Sequence, residues 1–449
     1  MRKKHLTYLA IILTVGLLIT IFSFMKKDTV KNFTADIDPN PNAIRQYYYN
    51  SVPGLIRAEK LDMVKPIHKT FDIPKTNYSL KLDRIWYNSR NVFIFYHVEN
   101  IDQVAYLGGY FTIDDNKQIK EVHPRDLIGT STEKGFFFNN NFYSFLRITP
   151  VQSINNESDQ QLIFKPILYL QDLKYDFDTI NIDPKDIYSE ETVEEYKLNS
   201  KIETEELNID LYALEAGISY SKIYFTYKGS DLEIMYKIKA YIITDSGEKI
   251  KIDKSPILID KDKSNYYIEI EPFNELPESF DFNLESCSVI GSESIQCTID
   301  TSIVSKDKGI HTIKMPLGRS MNTDIFLETL QFKDNHVEVE LLWDMSNDKS
   351  KDTVLEMEYI FSSNQKSLIS NINNGHINAP NIVTIQNHFG KNIEAKCYLY
   401  PITNDDNIRL YCVFPLEDWQ ETEKIFISFD NITYSKKLSQ RFEVLVTPA

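Results

Sequence analysis

Leu80-Lys81-Leu82-Asp83-Arg84-Ile85, followed after a short gap by Val92-Phe93-Ile94-Phe95-Tyr96, is a strand pattern that returns twice, at intervals of about 120 residues. The second copy reads Ile209-Asp210-Leu211-Tyr212-Ala213-Leu214 and then Ile223-Tyr224-Phe225-Thr226-Tyr227. The third reads Ile325-Phe326-Leu327-Glu328-Thr329-Leu330 and then Val337-Glu338-Val339-Glu340-Leu341. The third copy has the cleanest phase: valines and leucine alternate with glutamates, and a period of two puts the apolar set on a core and the glutamates in water. Carried back to the first copy, this phase turns Phe93 and Phe95 outward; in the second copy it turns Tyr224 and Thr226 outward. An outward aromatic pair is a candidate partner-binding patch, with cover by a neighbouring strand, helix or domain as the alternative.

A chain of 449 residues has the length of three domains. From Ile67 onward it is rich in Ile, Tyr, Phe, Val and Thr, and clusters of Asn, Asp, Ser and Lys break it about every ten residues, which is the pattern of short sandwich strands. The expected fold is all-β: three consecutive Ig-like β-sandwich domains over 67–185, 186–304 and 305–449, behind an N-terminal transmembrane helix. Residues 28–66 form a stalk with one or two short helices around Pro53 and Gly54. The glutamate-rich stretch 183–206 reads as a charged linker with a helical turn, and 305–309 as a break. The entries to the first and third copies look alike, Ile67-His68 beside Ile310-His311.

Residues 6–24 carry no charge and are long enough to cross a hydrocarbon core of about 30 Å as a helix. No Ala-x-Ala-like site follows and Lys26 and Lys27 come next, so the segment reads as an uncleaved anchor within 1–27 rather than a signal peptide. Almost all the mass lies beyond it, and the four cysteines favour export of that mass to the outside of the cell membrane. Turn residues Gly291-Ser292 lie midway between Cys287 and Cys297, and Asn404-Asp405 midway between Cys397 and Cys412. Both pairs are therefore expected as disulfides across hairpins. The net charge of -16, with no basic cluster outside the N-terminus, argues against a nucleic-acid partner.

No chemistry stands out. The eight histidines are scattered singly, without an H-x-x-x-H pair or a G-x-S-x-G elbow. Gly108-Gly109 reads as a tight turn. Asp114-Asp115-Asn116 and Asp405-Asp406-Asn407 are loop acids that calcium can use, yet neither follows the twelve-residue calcium loop. The expectation is a non-catalytic binding, sensing or structural protein with no cofactor or metal, whose partners are the membrane and a protein or cell-wall ligand. The alternative is a wall-acting hydrolase with an unrecognised carboxylate pair.

The run from Ala58-Glu59-Lys60 through Pro66-Ile67-His68 to Leu80-Lys81-Leu82-Asp83-Arg84-Ile85-Trp86-Tyr87-Asn88 resembles uncharacterised extracytoplasmic domains of Gram-positive single-pass membrane proteins, some of them anti-sigma-factor-like. The resemblance implies an Ig-like ectodomain at the cell surface and brings no catalytic residues. Anti-sigma proteins of this kind hold their sigma factor with a cytosolic segment. Only Met1 to His5 precede the apolar run, so sequestration of a sigma factor is not expected.

Overall fold

The computed structural model describes residues 42–113, 119–122, 135–150, 162–183, 191–203, 207–229, 234–260, 264–291, 294–302, 309–320, 323–344, 353–356, 361–362, 382–400 and 407–449. The apolar segment 6–24 and the loop acids Asp114, Asp115, Asn116, Asp405 and Asp406 lie outside the described residues. Among those described, no helix is long and apolar enough to cross a membrane.

The chain is all-β. In the first copy, β1 (Val64–Asp72), β2 (Ser79–Tyr87), β3 (Val92–Glu99), β4 (Ala105–Ile113), β5 (Ile119–Val122), β6 (Phe136–Phe138), β7 (Asn141–Ile148), β8 (Leu162–Leu170), β9 (Leu173–Asp176) and β10 (Ile180–Ile182) make two sheets. One runs β1-β2-β3-β7-β6 and the other β10-β8-β4-β5, with β9 folded back on β8. Leu80, Leu82, Ile85, Ile94 and Tyr96 from the first sheet meet Leu107, Phe111, Phe164 and Leu168 from the second in one buried cluster. Two helices, α1 (Asn42–Ser51) and α2 (Leu55–Lys60), precede β1 and are separated by Pro53 and Gly54.

The second copy contains β11 (Glu194–Glu203), β12 (Asn208–Ala216), β13 (Ser221–Lys228), β14 (Ile234–Thr244), β15 (Lys249–Lys254), β16 (Ile257–Asp260), β17 (Asn265–Ile270) and β18 (Ser279–Ile290). The third contains β19 (Ile295–Asp300), β20 (Gly309–Ser320), β21 (Thr323–Phe332), β22 (His336–Asp344), β23 (Thr353–Leu355), β24 (Phe361–Ser362), β25 (Ile382–Asn387), β26 (Lys396–Tyr400), β27 (Ile408–Pro415), helix α3 (Leu416–Gln420) and β28 (Lys424–Asp430). Their leading sheets run β11-β12-β13-β17-β16 and β20-β21-β22-β27-β26, the order of the first copy each time. The expected acidic linker is a strand over Glu194–Glu203: Leu198, Ser200 and Ile202 turn inward and alternate with exposed Lys197, Asn199, Lys201 and Glu203. Its charges are the solvent half of a period-two pattern.

The repeated block breaks period two between its third and sixth positions, and the hydrogen bonding shows why. Leu82 pairs with Tyr96 and Arg84 with Phe95, so Asp83 is an extra residue; Tyr212 and Glu328 are extra at the same place in β12 and β21. Such a β-bulge restores the apolar phase after one odd step. On the opposite side of these strands, two residues face the single bulged one: 67–68 against 83, 198–199 against 212, and 313–314 against 328. His68 and Lys314 there take φ of 51° and 50°. The counterpart of Ile67-His68 is therefore Ile313-Lys314, three residues beyond the expected Ile310-His311. The register also shifts the second copy. Ile85 faces Ile94, Leu214 faces Ile223 and Leu330 faces Val339, which makes Lys222 and Tyr224 the equivalents of Phe93 and Phe95, rather than Tyr224 and Thr226.

The second sheets differ in how they close. In the first copy β10, the copy's own last strand, pairs with β8. In the second copy, β18 is closed by β29 (Thr433–Pro448), the last strand of the chain, with Ser279 opposite Leu445 and Ile290 opposite Thr433. In the third, β28 is closed by β19, which directly follows β18 in sequence, with Ile295 opposite Phe429 and Asp300 opposite Lys424. The two copies have exchanged closing strands. Two antiparallel pairings, 279–290 against 433–445 and 295–300 against 424–429, thus link the two copies. The expected division at 304/305 cuts across this pairing, since 295–300 close the third core and 433–448 the second.

The exchange also decides the cysteines. Cys397 and Cys412 are directly opposed on β26 and β27 and form a disulfide, with Cα atoms 4.2 Å apart. The disulfide expected between Cys287 and Cys297 is not formed. Cys287 lies in the second core and Cys297 in the third, because β18 pairs with β29 and β19 with β28 rather than with each other.

Candidate functional site

The three leading sheets each turn a face outward around the bulge, and equivalent backbone positions carry different side chains. In the first copy this face is covered. Trp86 stacks on Phe93 at 5.1 Å, and Tyr48 of α1 meets Phe95 edge-on at 5.1 Å. Phe93 and Phe95 are 2 % and 0 % exposed, so they are core residues of a second apolar layer and the binding patch expected there does not exist. Sequence phase correctly turned them away from the sandwich core; it could not show the helices lying over them.

Where the helices end, the same face becomes polar. The bulged Asp83 lies 2.8 Å from His97 Nδ1, and His97 stacks on Tyr143 at 5.0 Å. Glu99 accepts hydrogen bonds from Lys81 at 2.6 Å and Ser79 at 2.8 Å, which hold its carboxyl below the usual range. Arg84 pairs with Glu59 of α2, and its guanidinium lies over Phe95 at 4.7 Å. A cleft of ≈ 250 Å³ is lined by Glu59, Val64, Pro66, His68, Asp83 and Arg84. It is small for an organic ligand, whose sites usually exceed about 300 Å³, and its charged groups are already engaged, Arg84 with Glu59 and Asp83 with His97.

In the second copy the equivalent face is a tyrosine ladder. Tyr212 contacts Tyr224 at 6.2 Å and Tyr224 contacts Tyr267 at 5.6 Å. The Tyr224 hydroxyl donates to Glu215 at 2.6 Å, and Lys222 donates to the other oxygen at 3.1 Å. Lys222 also lies over Tyr220 and Tyr267 at 5.5 and 5.4 Å. Partial burial raises the Tyr212 phenol, while burial together with the Glu215 bond raises that of Tyr224, so both stay protonated donors well above neutrality. Tyr212, the bulged residue, is 37 % exposed.

In the third copy the bulged Glu328 approaches Arg409 at 3.4 Å, with Glu340 at 3.6 Å from the same guanidinium. Burial acts to raise Glu338, but hydrogen bonds from Lys333, Tyr411 and His336 outweigh it and bring the carboxyl to about 2. These acids are committed to fixed cations.

The tyrosine ladder reaches the joint with the first copy. Arg90 of the first copy covers Tyr220 at 4.5 Å and pairs with Glu269 at 2.7 Å. Arg147 faces Glu271 at 3.6 Å and Lys60 pairs with Glu275 at 2.7 Å. Arg57, almost buried, donates to the Gly217 carbonyl at 3.0 Å and to Glu194 at 3.3 Å. Gly54 takes φ 78°, and a Cβ there would lie 2.7 Å from the Ile218 carbonyl oxygen, so only glycine allows the helix turn to approach this closely. Sequence named Gly54 and Lys60, and covered Glu194, only as parts of longer stretches, and pointed to none of these residues as a joint. The bulge position was readable as the double spacer of the repeated block, and its three occupants are the signal that would have led to these faces.

No family model and no curated protein matches the chain. Among solved structures, a conserved domain protein from Bacillus anthracis is 8% identical with a TM-score of 0.25, covering 52% of this chain and 82% of its own. The cycloalternan-forming enzyme of Listeria monocytogenes is 8% identical with a TM-score of 0.15, covering 76% of this chain and 29% of its own. A marsupial T cell receptor is 11% identical with a TM-score of 0.14, covering 83% of this chain and all of its own. Likenesses this weak carry neither fold nor function to this chain.

Proposed function

We propose that this protein is a non-catalytic binding protein anchored in the cell membrane by residues 6–24, with three Ig-like β-sandwiches outside the cell, and that the tyrosine face of the second sandwich meets its partner. One observation supports the reading above the others: at the position where Phe95 of the first copy is sealed under α1, the second copy presents Tyr224 between Tyr212 and Tyr267, with no helix from the described residues over them. Tyrosine offers a large apolar ring and a hydroxyl donor at low entropic cost, and for that reason dominates contact surfaces. The first sandwich and the helix pair act as the spacer that holds this face, through Arg57, Arg90 and Arg147. The test is in-cell crosslinking of the full-length protein, comparing wild type with a Tyr212→Ser/Tyr267→Ser variant. A discrete protein or wall fragment captured by wild type and lost in the variant supports the reading. Identical capture by both sinks it.

A further inference from the structure

We propose that this chain has a second topology, in which β19 folds back on β18, β29 folds back on β28, and a Cys287–Cys297 disulfide holds the result. The first copy shows that self-closure suits this fold, because β8 turns at Gln171-Asp172 into β9 and pairs with it from Leu170–Leu173 outward. The corresponding turn in the second copy would be one residue longer, Gly291, Ser292 and Glu293, a length and composition hairpins accept. Cys287 and Cys297 would then stand directly opposite each other. Both turn inward from their strands now, so both would enter one core, and the inward sets of β18 and β19 would keep their faces. The third copy has matching turn chemistry at Asp430-Asn431, where Asn431 already has φ 55°. Cys397 and Cys412 demonstrate that directly opposed positions of this fold accept the bond.

The step is a disulfide exchange. One thiolate attacks a small-molecule disulfide such as oxidised glutathione and releases a thiol. The second thiolate then displaces the other, so two electrons and two protons pass to the oxidant. In the exchanged form the two sulfurs lie in separate cores, and burial pushes the Cys297 thiol up to about 12, so the folded protein resists this oxidation. Redox conditions during folding would thus select the topology, and with it whether the second and third copies are tied by exchanged pairings or are free units.

To test this, the full chain is made in an oxidising extracytoplasmic compartment and in a reducing cytosol, and disulfides are mapped by mass spectrometry without reduction. A portion of the cytosolic protein is treated with oxidised glutathione after folding. The expected result is a Cys287–Cys297 peptide, with matching loss of two alkylatable thiols, from the oxidising compartment and its absence from the folded protein treated afterwards. Absence from both would overturn the proposal. Equal formation in both would overturn it too, because the exchanged pairings would then be no barrier.

Discussion

The first copy closes its second sheet with its own strand, and the second and third copies close each other's. The first is closed by β9 and β10 in turn: Leu173 to Asp176 against Leu170 to Ile167, then Ile180, Asn181 and Ile182 against Phe164, Ile163 and Leu162. The other two are linked by two exchanged pairings, from Ser279 opposite Leu445 to Ile290 opposite Thr433 and from Ile295 opposite Phe429 to Asp300 opposite Lys424. The difference is one of cooperativity. A copy that closes itself keeps the pairing of its second sheet within its own stretch of chain, whereas a copy that borrows its closing strand depends on its neighbour. Glu356, just past β23, tightens the dependence: it pairs with Lys239 at 2.8 Å while β23 adds to the edge of β29.

Ending the chain after Ile432 breaks the comparison most severely. It removes β29, and β18 keeps β14 on one side but loses its partner on the other along its whole length. The expected loss exceeds the roughly 5–15 kcal/mol that holds a domain together. Hydrogen exchange would show β14 and β18 unprotected while β2 and β3 stay protected. Next in size, Phe95→Ala opens a cavity under Tyr48 and costs about 3–5 kcal/mol. Tyr224→Ala, at the equivalent but open position, costs about 1 kcal/mol or less. Denaturant melts of the two variants give the contrast. Reduction of Cys397–Cys412, which spans a separation of 15 residues, costs the third copy about 3 kcal/mol. The same treatment leaves the first copy unmoved, which domain-resolved hydrogen exchange checks.

Smaller effects separate the three outward faces. Glu338 has its carboxyl lowered from 4.5 to about 2, so it contributes stability that is complete above 4.5 and is lost as pH falls through about 2. Glu338→Gln should flatten the acid-side melting profile over that window. Asp83→Asn, at the half-exposed pair with His97, should change stability by about 1 kcal/mol or less. A thermal melt with a shift of only a few degrees is expected.

Local order was legible where local chemistry decides it. The repeated block located three bulged strands, and Gly-, Asn- and Asp-bearing midpoints located the turn chemistry beside both cysteine pairs. Strand β11 was hidden because Glu194, Glu195 and Glu203 outweigh Leu198 and Ile202 in composition, although their alternation is regular. Phe93 and Phe95 looked outward because they do leave the sandwich core; Tyr48 of a helix far upstream, with Trp86 and Phe145 of the same sheet, makes them buried. The exchange was unreadable for a physical reason: turn chemistry at Gly291-Ser292 is local, whereas the partner of β19 is a strand more than a hundred residues away. The tyrosine face became visible only once register set Tyr212, Tyr224 and Tyr267 side by side.

The exchange itself is tested most directly by an engineered crosslink. Gln296 and Ser428 are directly opposed across β19 and β28. With Cys287 and Cys297 changed to Ala, the variant Gln296→Cys/Ser428→Cys should form its new disulfide on mild oxidation of the folded full-length protein, since directly opposed strand positions lie within disulfide reach. A 296–428 disulfide in most molecules is the expected result. Its absence, with residue 296 instead crosslinking to a cysteine placed at Ser288 of β18, would contradict the exchange.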